Sequence, residues 1–246
     1  MIGAVATWRQ VHISREGQLT DRFSRAVDQL GSPNADVRIG ALYALERIAR
    51  NSPADREPIQ YMLGAYIRTH SPWPVGVAGG PEHPTATVDE QLPWMRVRAP
   101  DIQAAMGVLG RIAQPRNQPV IYLSRVDLRS IALRHARLSG SKFRYTNLAR
   151  AVLEEVWLDR SDLTAADLRQ AFLQDAHLNG ANLTRAYLQG ADLRRADLTG
   201  ADLRGASLTD AIHDTVLTGA RADHATTWPA GIDAEKRQEL GIIALD

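Results

Sequence analysis

The sequence predicts a mainly β solenoid with a helical segment ahead of it, on three observations. A five-residue period runs from residue 121, helix-type apolar spacing runs over residues 18–114, and the period loses register near Leu217. The implied domains are an N-terminal segment 1–17, a helical domain 18–118 with a Pro/Gly-rich loop 71–93, the repeat segment 119–218 and a C-terminal cap 219–246. At 246 residues with 44% apolar side chains, the chain has material for real cores.

From Ile121 the chain falls into frames: IYLSR, VDLRS, IALRH, ARLSG, SKFRY, TNLAR, AVLEE, VWLDR, SDLTA, ADLRQ, AFLQD, AHLNG, ANLTR, AYLQG, ADLRR, ADLTG, ADLRG, ASLTD. Seventeen of the eighteen third positions are Leu and the other is Phe143; eleven first positions are Ala. A period of five matches neither the 3.6 of a helix nor the 2 of a strand. On a helix, five steps rotate about 140° net and would smear Leu over every face. The period suits a coil in which each frame is a short extended side plus a corner. The third residue points inward, which makes Leu128, Leu133, Phe143, Leu163, Leu183 and Leu203 repeat core. Each buried Leu contributes about 1.5–3 kcal/mol before entropy is charged against it.

These frames resemble the pentapeptide-repeat family, whose consensus is A(D/N)LXX. The resemblance covers residues 121–210 and implies a right-handed quadrilateral β-helix with four frames per coil. Ile121, Val126 and Ile131 replace Ala in the first coil and suit an end over which something packs. At the other end His213 takes a Leu position and the next frame centres on Leu217. Thr226–Pro229, a short helix from Asp233 to Leu240 and apolar Ile242–Leu245 make a C-terminal cap, which could also pair with a second copy as a homodimer.

Ahead of the repeats, Leu19, Phe23, Ala26, Val27 and Leu30 share one helical face, and Gly31-Ser32-Pro33 stops that helix. A second helix spans Asp36–Arg50 with Val37, Ala41, Leu45 and Ile48 inward and Asn34 as cap. A third spans Ala54–Thr69, and a fourth Asp101–Ala113. The second and fourth share Leu-Glu/Gly-Arg-Ile-Ala and resemble HEAT or armadillo-type units, a layout known in actinobacterial pentapeptide-repeat proteins that often carry membrane segments upstream. Met1–Ala6 is a candidate remnant of such an anchor, so the expected location is cytoplasmic, with membrane association left open.

The chain has no Cys, which excludes disulfides, thiolate zinc sites and thiol nucleophiles. There is no phosphate loop, HExxH or GxSxG motif, and the seven His lack metal-ligand spacing. No catalytic, cofactor or metal residues are assigned, and an enzyme is the least favoured class.

In a four-frame coil, residues twenty apart stack. One column is Arg137, Trp157, His177 and Asp197, a candidate interaction face with a cation–π step. The neighbouring column Ala132, Val152, Phe172, Asp192 and Ile212 is apolar for positions that face water, and suits something that covers it. Relatives in the family bind DNA gyrase by imitating acidic DNA. That needs a strongly acidic surface, yet residues 121–218 carry thirteen Arg or Lys against twelve Asp or Glu. The expected function is therefore a non-enzymatic interaction or scaffold protein with an unidentified protein partner and no direct nucleic-acid contact. The alternatives are a topoisomerase-protecting DNA mimic and a biosynthetic enzyme with a pocket where the helical domain meets the repeats.

Overall fold

The computed structural model describes residues 20–113, 120–211 and 214–245. The expectations placed on residues 1–17, Ile212 and His213 lie outside the described residues. The chain divides into two compact units, Met1–Ile59 and Gln60–Asp246, with the division inside a helix.

In the first unit, helix α1 (20–30) buries Ala26 and Leu30 and ends where Gly31 N donates to Asp28 O. Helix α2 (Ala35–Asn51) is capped by Asn34, whose side chain accepts from Asp36 N at 2.8 Å. Its buried face is Ala41, Leu42, Leu45, Ile48 and Ala49. Val37, expected inward, is exposed: it stands in the first turn on the same stripe, one turn ahead of Ala41 where burial begins. Helix α3 (Pro53–His70) crosses the division between the units.

The second unit holds α4 (Met95–Arg98), α5 (Pro100–Ile112), the repeat segment, strand β1 (Arg221–Ala222), α6 (Ala234–Glu239) and strand β2 (Ile243–Ala244). The expected mainly β class is corrected by these elements. Regular secondary structure is mostly helical, and the one sheet among the described residues is the two-residue parallel pair β1–β2. The repeat segment forms no continuous strand. Its second-position residues make single parallel bridges to residues twenty ahead, such as Tyr122 to Lys142 and Lys142 to Asp162. The reason lies in the frame itself: the first and third residues turn into the core and the last two make a corner whose fifth residue is left-handed, so one residue per frame remains to pair. Thirteen non-glycine residues hold these corners at φ of 53–58°.

The bridges carry the chain back over itself every four frames. Leu128, Leu133, Phe143, Leu163, Leu183 and Leu203 all lie in the interior, packed with the first-position Ala side chains. The ladder shortens to nineteen residues at Asp197–Val216 and Asp202–Arg221, then returns to twenty at Ser207–Thr227. Beyond that point β2 lays on β1, Ile243 N donating to Ala220 O and Leu245 N to Ala222 O, so the C-terminal segment closes the last coil within the same chain.

Segment 60–113 closes the first coil, whose four sides each find a partner there. Arg68 Nη1 donates to Tyr122 O at 2.5 Å, Asp127 N to Ser71 O at 2.8 Å, and Arg137 N to Gly110 O at 3.0 Å. On the remaining side the Gln103 amide imitates a strand, accepting from Ala132 N and donating to Ala132 O. Edge groups that would otherwise be unpaired are thereby satisfied. The fit at α5 is close: a Cβ on Gly110 would stand 2.6 Å from Ala136 Cβ.

Residues 71–93, Pro/Gly-rich in sequence, form a strap pinned along the repeats. Pro72 bridges Val126, Trp73 N donates to Arg125 O, and Arg150 Nη1 donates to Asp89 O and Leu92 O. His83 holds the middle. Trp73 Nε1 donates to its Nδ1, its Nε2 meets Ala165 O, and its ring packs edge-on against Tyr145 and Tyr187.

Candidate interaction groove

The column Arg137, Trp157, His177, Asp197 is assembled by consecutive parallel bridges. Main-chain hydrogen bonds fix each step: Leu138 N donates to Trp157 O and Leu158 N to His177 O. The indole of Trp157 and the imidazole of His177 stack with centroids 4.2 Å apart at an interplanar angle of 26°. Trp157 stays 44% exposed although its backbone is fully bonded.

The open space beside this stack comes from the corner next to it. Gly140, Gly180, Gly200 and Gly219 occupy that corner in four coils and Arg160 in the fifth. At the other corners bulkier residues such as Tyr145, Arg150, Glu155 and Arg195 take the same left-handed conformation, so the backbone there tolerates side chains. Gly140 lines a groove of about 660 Å³ together with Arg137, Trp157, Asp159, Arg160, His177, Asn179 and Asp197. Asp159 is already engaged, accepting from Asn179 N at 3.1 Å and from Ser139 Oγ at 3.4 Å. The exposed polar residues of the groove include Arg137, Arg160 and Asn179.

The second expected face is brought together from Ala132 through Val152 and Phe172 to Asp192. Gln103 covers its Ala132 end, Val152 is half-buried and Phe172 is 39% exposed.

Sequence reasoning missed a local rule of the frames. Wherever a frame reads Asp-Leu-Arg, the fourth-position guanidinium clamps the second-position carboxylate of its own frame. Nη2–Oδ2 distances are 2.8 Å for Arg129–Asp127 and Arg169–Asp167, 2.6 Å for Arg194–Asp192 and 2.7 Å for Arg204–Asp202. The Asp-x-Arg spacing was the available signal. Arg204, with its hydrogen bond and charge, holds the Asp202 carboxyl below the usual carboxylate range against the opposing pull of desolvation. At Asp127 burial alone would raise the value, but hydrogen bonds from Arg129 and the charge of Arg98 bring it below normal. The strap residue His83 is pushed down by burial, only partly offset by its bond to Ala165 O and by Asp167. Among the described residues no group of three or more His, Asp or Glu could hold a metal ion.

With this geometry in hand, the comparisons with known proteins fall on the repeats. The family model "Pentapeptide repeats (8 copies)" matches residues 121–159, 146–185, 161–200 and 176–212. Residues 121–212 thus carry the pentapeptide-repeat motif. Similar solved structures include the pentapeptide repeat protein Rfr23 from the cyanobacterium Cyanothece 51142, 38% identical over 41% of this chain and 65% of that one, with a TM-score of 0.28. A pentapeptide repeat protein from the Arabidopsis thaliana thylakoid lumen is 32% identical over 38% of this chain and 62% of that one, with a TM-score of 0.30. The chain spans less than two thirds of the length of these two relatives. QnrB1, a plasmid-mediated fluoroquinolone resistance protein, is 17% identical over 55% of this chain and 77% of that one, with a TM-score of 0.32. No match was found among the curated proteins.

The resemblance is therefore corrected to the repeat motif. The wider layout of a HEAT-like domain on a right-handed β-helix is not carried over, because the regular elements are helices and one two-stranded sheet and α2 and α5 belong to different compact units. The scaffold and gyrase-mimic readings rested on that continuous β framework and fall with it, and the likeness to QnrB1 is too slight to restore the second. The Asp-Arg clamps add a physical reason against DNA mimicry: the acidic positions that would imitate phosphates are neutralised in place. In the cleft between residues 75–84 and Tyr145, Ala165 and Tyr187, both nitrogens of the His83 imidazole are engaged, by Trp73 and by Ala165 O.

Proposed function

We propose that this chain recognises an extended peptide segment of a partner protein in the groove beside Trp157 and His177. The observation that carries the reading is the exposed aromatic stack next to a corner stripped of side chains. Exposed Trp and Arg flanked by a rigid scaffold are the usual anchors of protein interfaces. Here the Trp157 main chain is fully bonded and its ring is stacked on His177, so little ordering entropy is lost there on binding. Arg160 and Asn179 are placed to bond the peptide main chain while the aromatic edges take an apolar side chain. A cytoplasmic location is part of the proposal; it is supported by the finding that no helix among the described residues is long and apolar enough to cross a membrane.

Selection from a random peptide library on the immobilised chain tests this. Enriched peptides are expected to lose at least tenfold in affinity on Trp157→Ala and on Gly140→Arg, which places a side chain in the groove at a corner where arginine is already tolerated at Arg160. Failure to enrich any peptide, or equal binding to both variants, would overturn the reading.

A further inference from the structure

A second cavity, of about 150 Å³, lies between the strap at Thr85–Asp89 and the frames that supply Arg129, Ser130, Asn147 and Arg150. Two of its lining residues carry buried side-chain atoms without a hydrogen-bond partner, Ser130 Oγ and Asn147 Nδ2, and each residue is only 1% exposed. The orientation of the Asn147 amide is fixed, because its Oδ1 accepts from Ala149 N at 3.0 Å. The orphaned end is therefore the donor end. An unpaired buried donor loses its hydrogen bond to water without replacement, so these residues are arranged at a cost that an acceptor would recover.

The charges around the cavity point the same way. Arg150 spends Nη1 on the carbonyls of Asp89 and Leu92 and makes no carboxylate pair among the described residues. Arg129 and Arg98 share a single carboxylate, that of Asp127. The Asp89 carboxylate accepts through Oδ1 from Gln91 N and Leu92 N. The lining is thus rich in donors and cationic by one unshared guanidinium. A water molecule brings two lone pairs but also two hydrogens that need acceptors, whereas an oxyanion brings acceptors alone. We propose that this cavity is a binding site for a small oxyanion, a phosphate or a small carboxylate, held by Asn147, Ser130 and Arg150 beneath the strap.

Titration calorimetry of the full chain at pH 7.5 and constant ionic strength tests it, with inorganic phosphate and acetate as separate probes and chloride as background. Saturable one-site binding of either anion is expected. Affinity should fall at least tenfold in Asn147→Asp, which keeps the acceptor to Ala149 N and removes the donor, and clearly in Ser130→Ala and Arg150→Gln; Trp157→Ala should bind as the parent does. Which probe binds separates phosphate from carboxylate as the natural source. Binding of neither anion means that the cavity holds water only and overturns the proposal. Equal binding by Ser130→Ala and Arg150→Gln also overturns it, and these two carry the test if Asn147→Asp fails to fold.

Discussion

Two faces of the same repeat segment use identical frames and reach opposite outcomes. On the face crossed by the strap, corner residues such as Tyr145 and Arg150 are large, and they catch His83, Asp89 and Leu92 from a segment some sixty residues earlier. On the face of Trp157 and His177 the corner is almost all glycine and nothing among the described residues lies over it. The interior Leu column is the same beneath both. Burial of a repeat face is thus decided by the corner residue and by what the rest of the chain can lay across it, while the core is indifferent.

Breaking the shared core should have the largest effect and should erase the difference between the faces. Phe143→Ala is expected to cost about 3–5 kcal/mol of unfolding free energy by denaturant titration, since the side chain is fully buried in the one frame without Leu. Next comes the closure of the first coil. Gly110→Ala should cost about 1–3 kcal/mol, because the new methyl meets Ala136 Cβ at 2.6 Å and α5 must move off the edge it caps.

The strap can be released without touching the core. Neutral His83 accepts from Trp73 through Nδ1; a protonated ring cannot, and burial holds its pKa below the ordinary 6.5. A depressed histidine favours the folded, latched form above the unfolded pKa and loses that contribution as pH falls through the lower folded value. Amide exchange of residues 75–84 should therefore quicken on acidification below about pH 6.5 in the parent. It should be fast and pH-independent in His83→Phe, once corrected for intrinsic exchange. A strap whose protection does not change between pH 7.5 and 5 in the parent would rule the latch out. The smallest effect is expected at Asp202→Asn, about 0–1 kcal/mol, as its Arg204 partner is half exposed. Because the Asp202 pKa is depressed, the stabilisation it supplies is present at neutral pH and lost as pH falls through that lowered value; the asparagine variant should show less acid sensitivity.

Much of the core was legible because it is periodic. Leu at every third frame position, Asn34 as a cap, and the slip near Leu217 are all local statements, and local chemistry places them. The assignment of a mainly β chain misjudged how much of each five-residue frame could pair, since two residues go to the corner and two to the core. The column Arg137–Trp157–His177–Asp197 was legible once a twenty-residue stack was assumed. Its openness was not, because that depends on Gly140, Gly180 and Gly200 lining up on a neighbouring corner. The strap gave no forward signal at all: Pro and Gly mark a loop, but where a loop lies depends on partners such as Ala165 and Arg150.

By itself the sequence determined the five-residue coil interior, the helices ahead of it and the near-balance of charge within the repeats. Tertiary structure alone decided that Gln103 and Gly110 stand in for a missing coil, and that one face is strapped while its neighbour lies open. The physical reason is reach. Side-chain periodicity acts over five residues, whereas edge closure, coverage and the pairing of buried donors are settled by groups that are twenty to eighty residues apart in the chain and adjacent only after folding.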